Sequence, residues 1–461
     1  MIPLSCAELA EAVDGELAGA DPHAIVTAPA SIDSRAVTPG GLFVALPGER
    51  ADGHDYVEAA TEAGAVVSLT ARPIEGSPCV VVADPQQALG KLARYVIDRL
   101  PDCLVIGLTG SQGKTSTKDL IAQVLSAHGP TVAPQGSFNN EIGHPLTALQ
   151  ADRSTRFLVA EMGARAIGDI RYLTGITPPR IGLVLNIGVS HLGAFGSQDA
   201  IATGKGELVE ELPADGVAVL NADDPRVAAM ADRTKARVLT FGESPDADVR
   251  AGDIVLDRQG RPAFTLHAQG NDLPVQLRLV GVHQVSNALA CAAVAQAAAG
   301  LTAQQIAGGL TAALPRSKWR MEVTERTDGV TVINDAYNAN PDSVRAALQA
   351  LVAIGAGRRT WAVLGEMREL GAASTEQHEA VGRLAVRLGV NRLVAVDEAA
   401  RPSYLGASRE EGDAVYAESP EEALDLLRRE LRPGDVVLVK ASRAVGLDKL
   451  AAALLDQGGS P

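Results

Sequence analysis

The sequence predicts an α/β protein of three domains with mainly parallel sheets. Three observations predict it. Short apolar β-like runs alternate with Ala/Leu-rich helical stretches along almost the whole chain, the pattern of parallel sheets with crossover helices. The length, 461 residues, suggests about three domains. A glycine-rich turn ending in Gly113-Lys114-Thr115 joins an apolar run to a helix-compatible segment, the layout of a phosphate-binding loop.

The elements follow in order. Residues 1–84 hold β-like runs at Leu42–Leu46, Ala65–Leu69 and Val80–Val82, with a helix over Tyr56–Ala63. They read as a small α/β domain. A helix over Gln86–Leu100 opens a second domain, residues 85–313. Its strands are expected at Leu104–Leu108, Phe157–Ala160, Ile181–Asn186 and Val217–Asn221. A helix from Ser116 to about His128 follows the glycine-rich turn. From Ala247 to Leu279 short strands alternate with polar turns, an antiparallel extension, and an Ala-rich helix fills Val285–Gly300. The third domain, residues 314–461, has strands at Val330–Asn334, Thr360–Leu364, Arg392–Val396 and Val436–Val439 with helices between. That reads as a Rossmann-like unit.

Composition narrows the function classes. With 46% hydrophobic and 21% charged residues the chain is globular, and each domain is long enough to bury a core. A net charge of −15 argues against nucleic acid or a membrane surface as partner. Cys6, Cys79, Cys103 and Cys291 are far apart, so reduced thiols and a cytoplasmic location are expected. No signal peptide and no membrane span are expected, for want of a basic, apolar leader or a long uncharged apolar run.

The glycine-rich turn departs from the usual G-x-x-x-x-G-K-[ST] spacing: its glycines are Gly107, Gly110 and Gly113, and Leu108 takes the first position. Its backbone N–H groups and the helix N-terminus would face an anion, Lys114 would reach the β/γ-phosphates, and the Thr115 hydroxyl suits Mg²⁺. Glu161 ends the strand Phe157–Ala160, where a metal-binding carboxylate belongs. His191 lies just past the next strand and can face the same crevice. Lys205, taken alone, reads as a solvated helix lysine. Asn139-Asn140 lies in a polar loop, suited to substrate contacts or to a turn. His283 and Asn287 are four apart and share a helix face; base or phosphate contacts and simple packing both fit them. In the third domain Asn334–Pro341 and Lys440–Arg443 each follow a strand. Two such walls suggest a closing cleft, with ATP on one side and the acceptor on the other.

Together these stretches resemble the Mur ligase family of ATP-dependent amide-forming enzymes. The turn matches the family's G-x-T-G-x-x-G-K-T form. Ser31–Arg35, Pro39-Gly40, Leu42-Phe43 and Asp52–His54 resemble the N-terminal uridine-nucleotide domain of its later members. Asn139–Thr147, Asp335–Pro341, Leu364–Gly371 and Val439–Arg443 resemble the branch that adds D-alanyl-D-alanine to UDP-N-acetylmuramoyl-tripeptide. Glu366 stands where Asp is commoner and Ala441 where Gly is. The Asp-Asn-Pro-Arg signature of the diaminopimelate-adding branch is absent.

The resemblance implies a role for each position. Thr109, Gly110, Ser111, Gln112, Gly113, Lys114 and Thr115 would bind ATP, together with His283, Asn287, Arg320 and Asp335, the last at the ribose. Thr115 and Glu161 would hold one Mg²⁺, and His191 a second. Lys205 would be carbamylated and act as a carboxylate toward metal. Lys114, Glu161, His191, Lys205 and Arg320 would carry the catalysis. Ser34, Arg35, Asp52, His54, Asn139, Asn140, Tyr337, Asn338, Asn340, Lys440, Ser442 and Arg443 would bind substrate. A monomer is expected. The alternatives are a ligase of the same type adding a single amino acid and a non-catalytic nucleotide-binding protein on this fold.

Overall fold

The central sheet is built where the apolar runs lie. Every residue of the strands Phe157–Glu161 and Ile181–Val184 is buried, as parallel strands covered on both faces must be. The structure, a computed structural model, describes residues 1–48 and 51–456. The last five residues of the expected third domain lie outside the described residues.

Nine strands form the central sheet, in the order Asn271–Gln276, Pro262–Ala268, Val249–Leu256, Arg237–Gly242, Val217–Asn221, Ile181–Val184, Leu104–Thr109, Phe157–Glu161 and Thr131–Val132. The two strands formed by residues 262–276 pair antiparallel and the rest parallel. The antiparallel extension expected from residue 247 onward is thus present. After Leu104–Thr109 the chain goes to one side of that strand and then returns to its other side at Ile181. This reversal opens a crevice at the carboxyl ends of the strands, and Gly110, Glu161 and Asn186 all lie there.

The Ala-rich helix, Gln284–Ala299, covers one face of this sheet beside the helix Lys114–Ser126. Small side chains let the two helices lie close together. A five-stranded sheet, with strands between Glu16 and Val81, forms the first unit. The helix Pro85–Ile97 joins it to the centre: Asp84 caps that helix by accepting from Gln86 and Gln87 N–H, and Pro85 takes its first turn. One apolar cluster runs from Leu42 and Val67 through Leu89 and Leu92 to Leu158 and Ile170. The third sheet has six strands, all parallel except Glu322–Glu325 at one edge.

Most element boundaries expected from the sequence fall within a few residues of those observed. The strands Arg237–Gly242 and Ala414–Ala417 were not expected. Polar or small residues interrupt the apolar run in both, so neighbouring strands rather than local pattern create them.

In the third domain the helices Ser374–Arg387 and Arg401–Arg409 touch backbone to backbone. A methyl group at Gly382 would overlap the Ser403 carbonyl, and one at Gly406 the Glu379 carbonyl. Gly382→Ala is expected to destabilise the protein by about 1–3 kcal/mol through overpacking, measured by denaturant unfolding.

Candidate active site

The phosphate loop starts at the end of the strand Leu104–Thr109. Gly113 has φ 81°, and a Cβ there would stand 2.5 Å from Asn287 Oδ1, so only glycine fits. Asn186 fixes the loop from the next strand: its carbonyl accepts from Ser111 N–H at 3.0 Å and its Oδ1 from Gln112 N–H at 3.0 Å. Lys114 folds back so that Nζ donates to the Gly110 carbonyl at 2.7 Å. Burial holds its ammonium below the usual lysine range, against the opposing pull of Glu161.

Glu161 is fully buried. Its Oε1 accepts from Asn139 Nδ2 at 2.7 Å and Ser137 Oγ at 3.1 Å, with Thr115 Oγ1 at 3.5 Å. Its Oε2 has no partner. A free carboxylate oxygen beside a threonine hydroxyl is the hard-oxygen donor set that Mg²⁺ takes. Among the described residues no cluster of three His, Cys, Asp or Glu side chains is close enough to hold a metal. A cation here would complete its shell with phosphate oxygens and water, as Mg²⁺ usually does.

The loop carrying Ser137 and Asn139 is tied down by Lys118, which sequence reasoning missed. Lys118 is buried, donates to the Pro134 and Gly136 carbonyls at 2.7 and 3.2 Å, and pairs with Asp119 at 2.7 Å. A polar helix residue in sequence gives no sign of this. Asn140 caps the following turn by accepting from Gly143 N–H.

Lys205 is the clearest departure from the residue-level expectation. It is 1% exposed rather than solvated. The residues on either side of it are packed too: Phe195 lies on the helix backbone at Gly204, and the Arg233 guanidinium covers Gly206, donating to the Ala202 and Thr203 carbonyls. Burial, and then the charge of Lys114, push its amine well below the usual lysine range.

His191 has a left-handed backbone, φ 60°, and its Nδ1 stands 2.5 Å from Oε2 of Glu369 in the third domain. The third domain also brings Arg320, which donates to Thr115 Oγ1 at 3.3 Å and lies over the Tyr337 ring at 4.2 Å. Asn340 Nδ2 donates to Ser190 Oγ at 2.6 Å, and Ser190 donates to the Ser111 carbonyl. Both oxygens of Asp335 are engaged, one by Lys440 Nζ at 2.5 Å and one by Met321 N–H at 3.0 Å. Lys440 is buried, and that burial lowers its pKa. Ser442 accepts from Arg368 N–H, and Arg443 stacks over Trp319 at 3.9 Å. Asn287 accepts from Thr117 Oγ1 at 3.1 Å, and His283 keeps an unpartnered Nδ1 beside the cleft.

Lys114, Thr115, Glu161, His191, Arg320, Asp335 and Lys440 line one cleft of about 1800 Å³, which also includes Gln112, Tyr337 and Asn338, whereas Lys205 is buried outside its lining. Some expected contacts are not brought there. Thr109 is fully buried behind the loop and stands outside the cleft lining. Ser34, Arg35, Asp52 and His54 stand outside the cleft lining. Arg35 pairs with Asp33 in solvent. His54 is buried, with Nδ1 2.6 Å from Asp52 and Nε2 accepting from Ala71 N–H at 2.8 Å. Both ring nitrogens are spent inside the first domain, which corrects the expected substrate contact for this residue.

Sequence models of the Mur ligase family match three stretches: the family's catalytic domain over residues 30–96, its middle domain over 108–295 and its glutamate ligase domain over 319–443. The UDP-N-acetylmuramoyl-tripeptide–D-alanyl-D-alanine ligase of Mycobacterium tuberculosis is 50% identical over 502 residues, covering 99% of this chain and 98% of that one. The Escherichia coli protein of the same name is 34% identical, covering 99% and 100%. The chain belongs to the Mur ligase family. A crystal structure of MurF from Acinetobacter baumannii superposes on this Mur ligase with a TM-score of 0.89 at 32% identity, covering 99% of both chains. The MurF ligase of Thermotoga maritima in complex with ADP gives 0.80 at 29% identity, covering 93% and 97%. No helix among the described residues is long and apolar enough to cross a membrane.

One pH effect follows from a buried imidazole behind this cleft. His378 Nδ1 donates to the Ser374 carbonyl at 2.8 Å, and Nε2 accepts from Met367 N–H at 2.9 Å. Protonation would set a proton against that N–H. Burial lowers the His378 pKa below 6.5, so the folded state resists a proton that the unfolded chain accepts. This contribution is complete above the unfolded value and is lost as pH falls below about 6.5. The thermal midpoint is expected to drop over that range, and less steeply in His378→Gln.

Proposed function

We propose that this Mur ligase joins D-alanyl-D-alanine to UDP-N-acetylmuramoyl-tripeptide, using ATP, through an acyl phosphate. The observation that carries the reading is the free Oε2 of Glu161 beside Thr115 and Lys114, faced by Arg320 and Asp335 of the third domain across one cleft. The full-length relatives that bear this activity in their names support the choice of substrates. On this reading residues 1–84 take the uridine nucleotide, 85–313 the ATP and 314–461 the dipeptide.

Two anions must meet, the tripeptide carboxylate and the γ-phosphate of ATP. Lys114 swings from the Gly110 carbonyl onto the β/γ-phosphates, while Arg320 reaches them from the third domain. Thr115 and Glu161 would hold one Mg²⁺ and His191 a second, and when bound these ions would supply the remaining positive charge. The carboxylate oxygen bonds to the γ-phosphorus and the bond to ADP breaks. The dipeptide amine, bound near Tyr337, Asn338 and Asn340, then attacks the acyl carbon, and phosphate leaves the tetrahedral intermediate. Holding both partners in one cleft lowers the barrier by up to about 7–11 kcal/mol. The bridge from Asn340 through Ser190 to Ser111 keeps the walls together, which shields the acyl phosphate from water.

Lys205 fits a carbamate for a physical reason. The neutral amine is the form that adds CO₂, and both burial and Lys114 favour it. Loss of one proton would then leave a carboxylate-like group in place of the amine.

Phosphate release with UDP-MurNAc-tripeptide and ATP tests the reaction. Turnover is expected with D-Ala-D-Ala and not with D-Ala, L-Lys or meso-diaminopimelate, with the amide product seen by mass. Release that ignores the acceptor would overturn the proposal. Lys205→Ala is expected to lower kcat by about 10²–10³-fold, the loss typical of one charge-stabilising group. A carbamate carbon should appear by ¹³C NMR in labelled bicarbonate for the original chain and not for the variant.

A further inference from the structure

We propose that Glu369 is a positioning residue for the metal site, delivered by the third domain: it holds the His191 ring through Nδ1, leaving Nε2 for the cation, and does so only when the cleft is closed. This rests on reading His191 as a metal ligand.

Four observations carry it. His191 Nδ1 and Glu369 Oε2 are 2.5 Å apart although they belong to different domains. The contact is an ion-pair approach that does not meet hydrogen-bond geometry, and no other group partners Nδ1. The backbones are pressed together at the same place. Gly193 N–H donates to the Glu369 carbonyl at 3.3 Å, a Cβ on Gly193 would stand 2.8 Å from Gly371 N, and one on Gly371 would stand 3.0 Å from Gly193 Cα. His191 and Glu369 both have positive φ, 60° and 65°, a strained backbone for non-glycine residues that surrounding contacts must hold. The Glu369 loop is itself fastened from behind, by His378 on Met367 N–H and Ser442 on Arg368 N–H, while Arg165 stands 3.6 Å from the other carboxylate oxygen.

The chemistry is that of a metal-ligating imidazole whose second nitrogen donates to a carboxylate. Such a partner fixes the tautomer and ring orientation and makes the ligating nitrogen a better donor; its loss usually weakens metal binding 10–100-fold. Here the carboxylate arrives from another domain. An open cleft therefore leaves His191 unoriented, and closure completes the cation site. The cation gains its full ligand set at the moment water is excluded.

The test uses the full chain, with Mn²⁺ as probe and ADP present, and counts bound Mn²⁺ by electron paramagnetic resonance. The original chain is expected to bind two Mn²⁺. Glu369→Gln, which keeps the side-chain shape, should weaken one of them 10–100-fold. In the ligase assay it should lower kcat at limiting Mg²⁺, recover at high Mg²⁺, and leave the KM for the tripeptide nucleotide within about twofold. Unchanged Mn²⁺ affinity in folded Glu369→Gln, or an equal rise in every KM, would overturn the proposal. Gly371→Ala blocks the backbone contact without touching the carboxylate. It should open the molecule in small-angle X-ray scattering and weaken the same Mn²⁺; opening with both Mn²⁺ affinities intact would overturn the coupling to closure. One Mn²⁺ in the original chain would instead remove the metal role of His191, and no ligase turnover would remove the proposed reaction.

Discussion

Glu161 is a buried carboxylate at the end of a parallel strand, and such a charge costs several kcal/mol unless donors surround it. Asn139 and Ser137 satisfy one oxygen only. The other faces the phosphate loop with nothing on it. Most of the neighbouring architecture follows from keeping that half-satisfied group in place. Lys118 anchors the donor loop, His144 packs beneath it with Nδ1 3.3 Å from the Glu161 carbonyl, and Arg320 arrives from another domain to share the Thr115 hydroxyl.

The same site concentrates positive charge out of water. Lys114 and Lys440, which line the cleft, both have lowered pKa values with burial as the first cause. A cleft lined by poorly solvated amines favours bound anions and punishes an empty, closed state. That tension gives domain closure a direction: ligand phosphates and carboxylates supply the charge that the fold leaves uncompensated. The contacts among His191, Ser190, Asn340 and Glu369 then act as closing points between two rigid sheets, not as loose surface pairs.

Much of the fold was legible because its signals are local. Apolar runs of four to six residues read as strands, and the helix over Gln86–Leu100 reads from its own sequence. The phosphate loop was legible for the same reason, since Gly113, Lys114 and Thr115 are adjacent. Lys205 was not. Its sequence environment is that of a helix surface, yet the fold buries it. His54 misled in the opposite sense: it lies in a family-like motif, yet Asp52 and Ala71 consume both its nitrogens.

The sequence by itself determined the α/β class, the alternation of strands and helices, the position of the phosphate loop and the family resemblance, because each depends on residues near one another in the chain. The tertiary structure alone decided which groups meet. It set Arg320 on Thr115, Glu369 on His191 and Asn340 on Ser190, and it buried Lys118 and Lys205. Those pairings depend on how two separately folded sheets come together across a cleft, and no local pattern of residues encodes that distance.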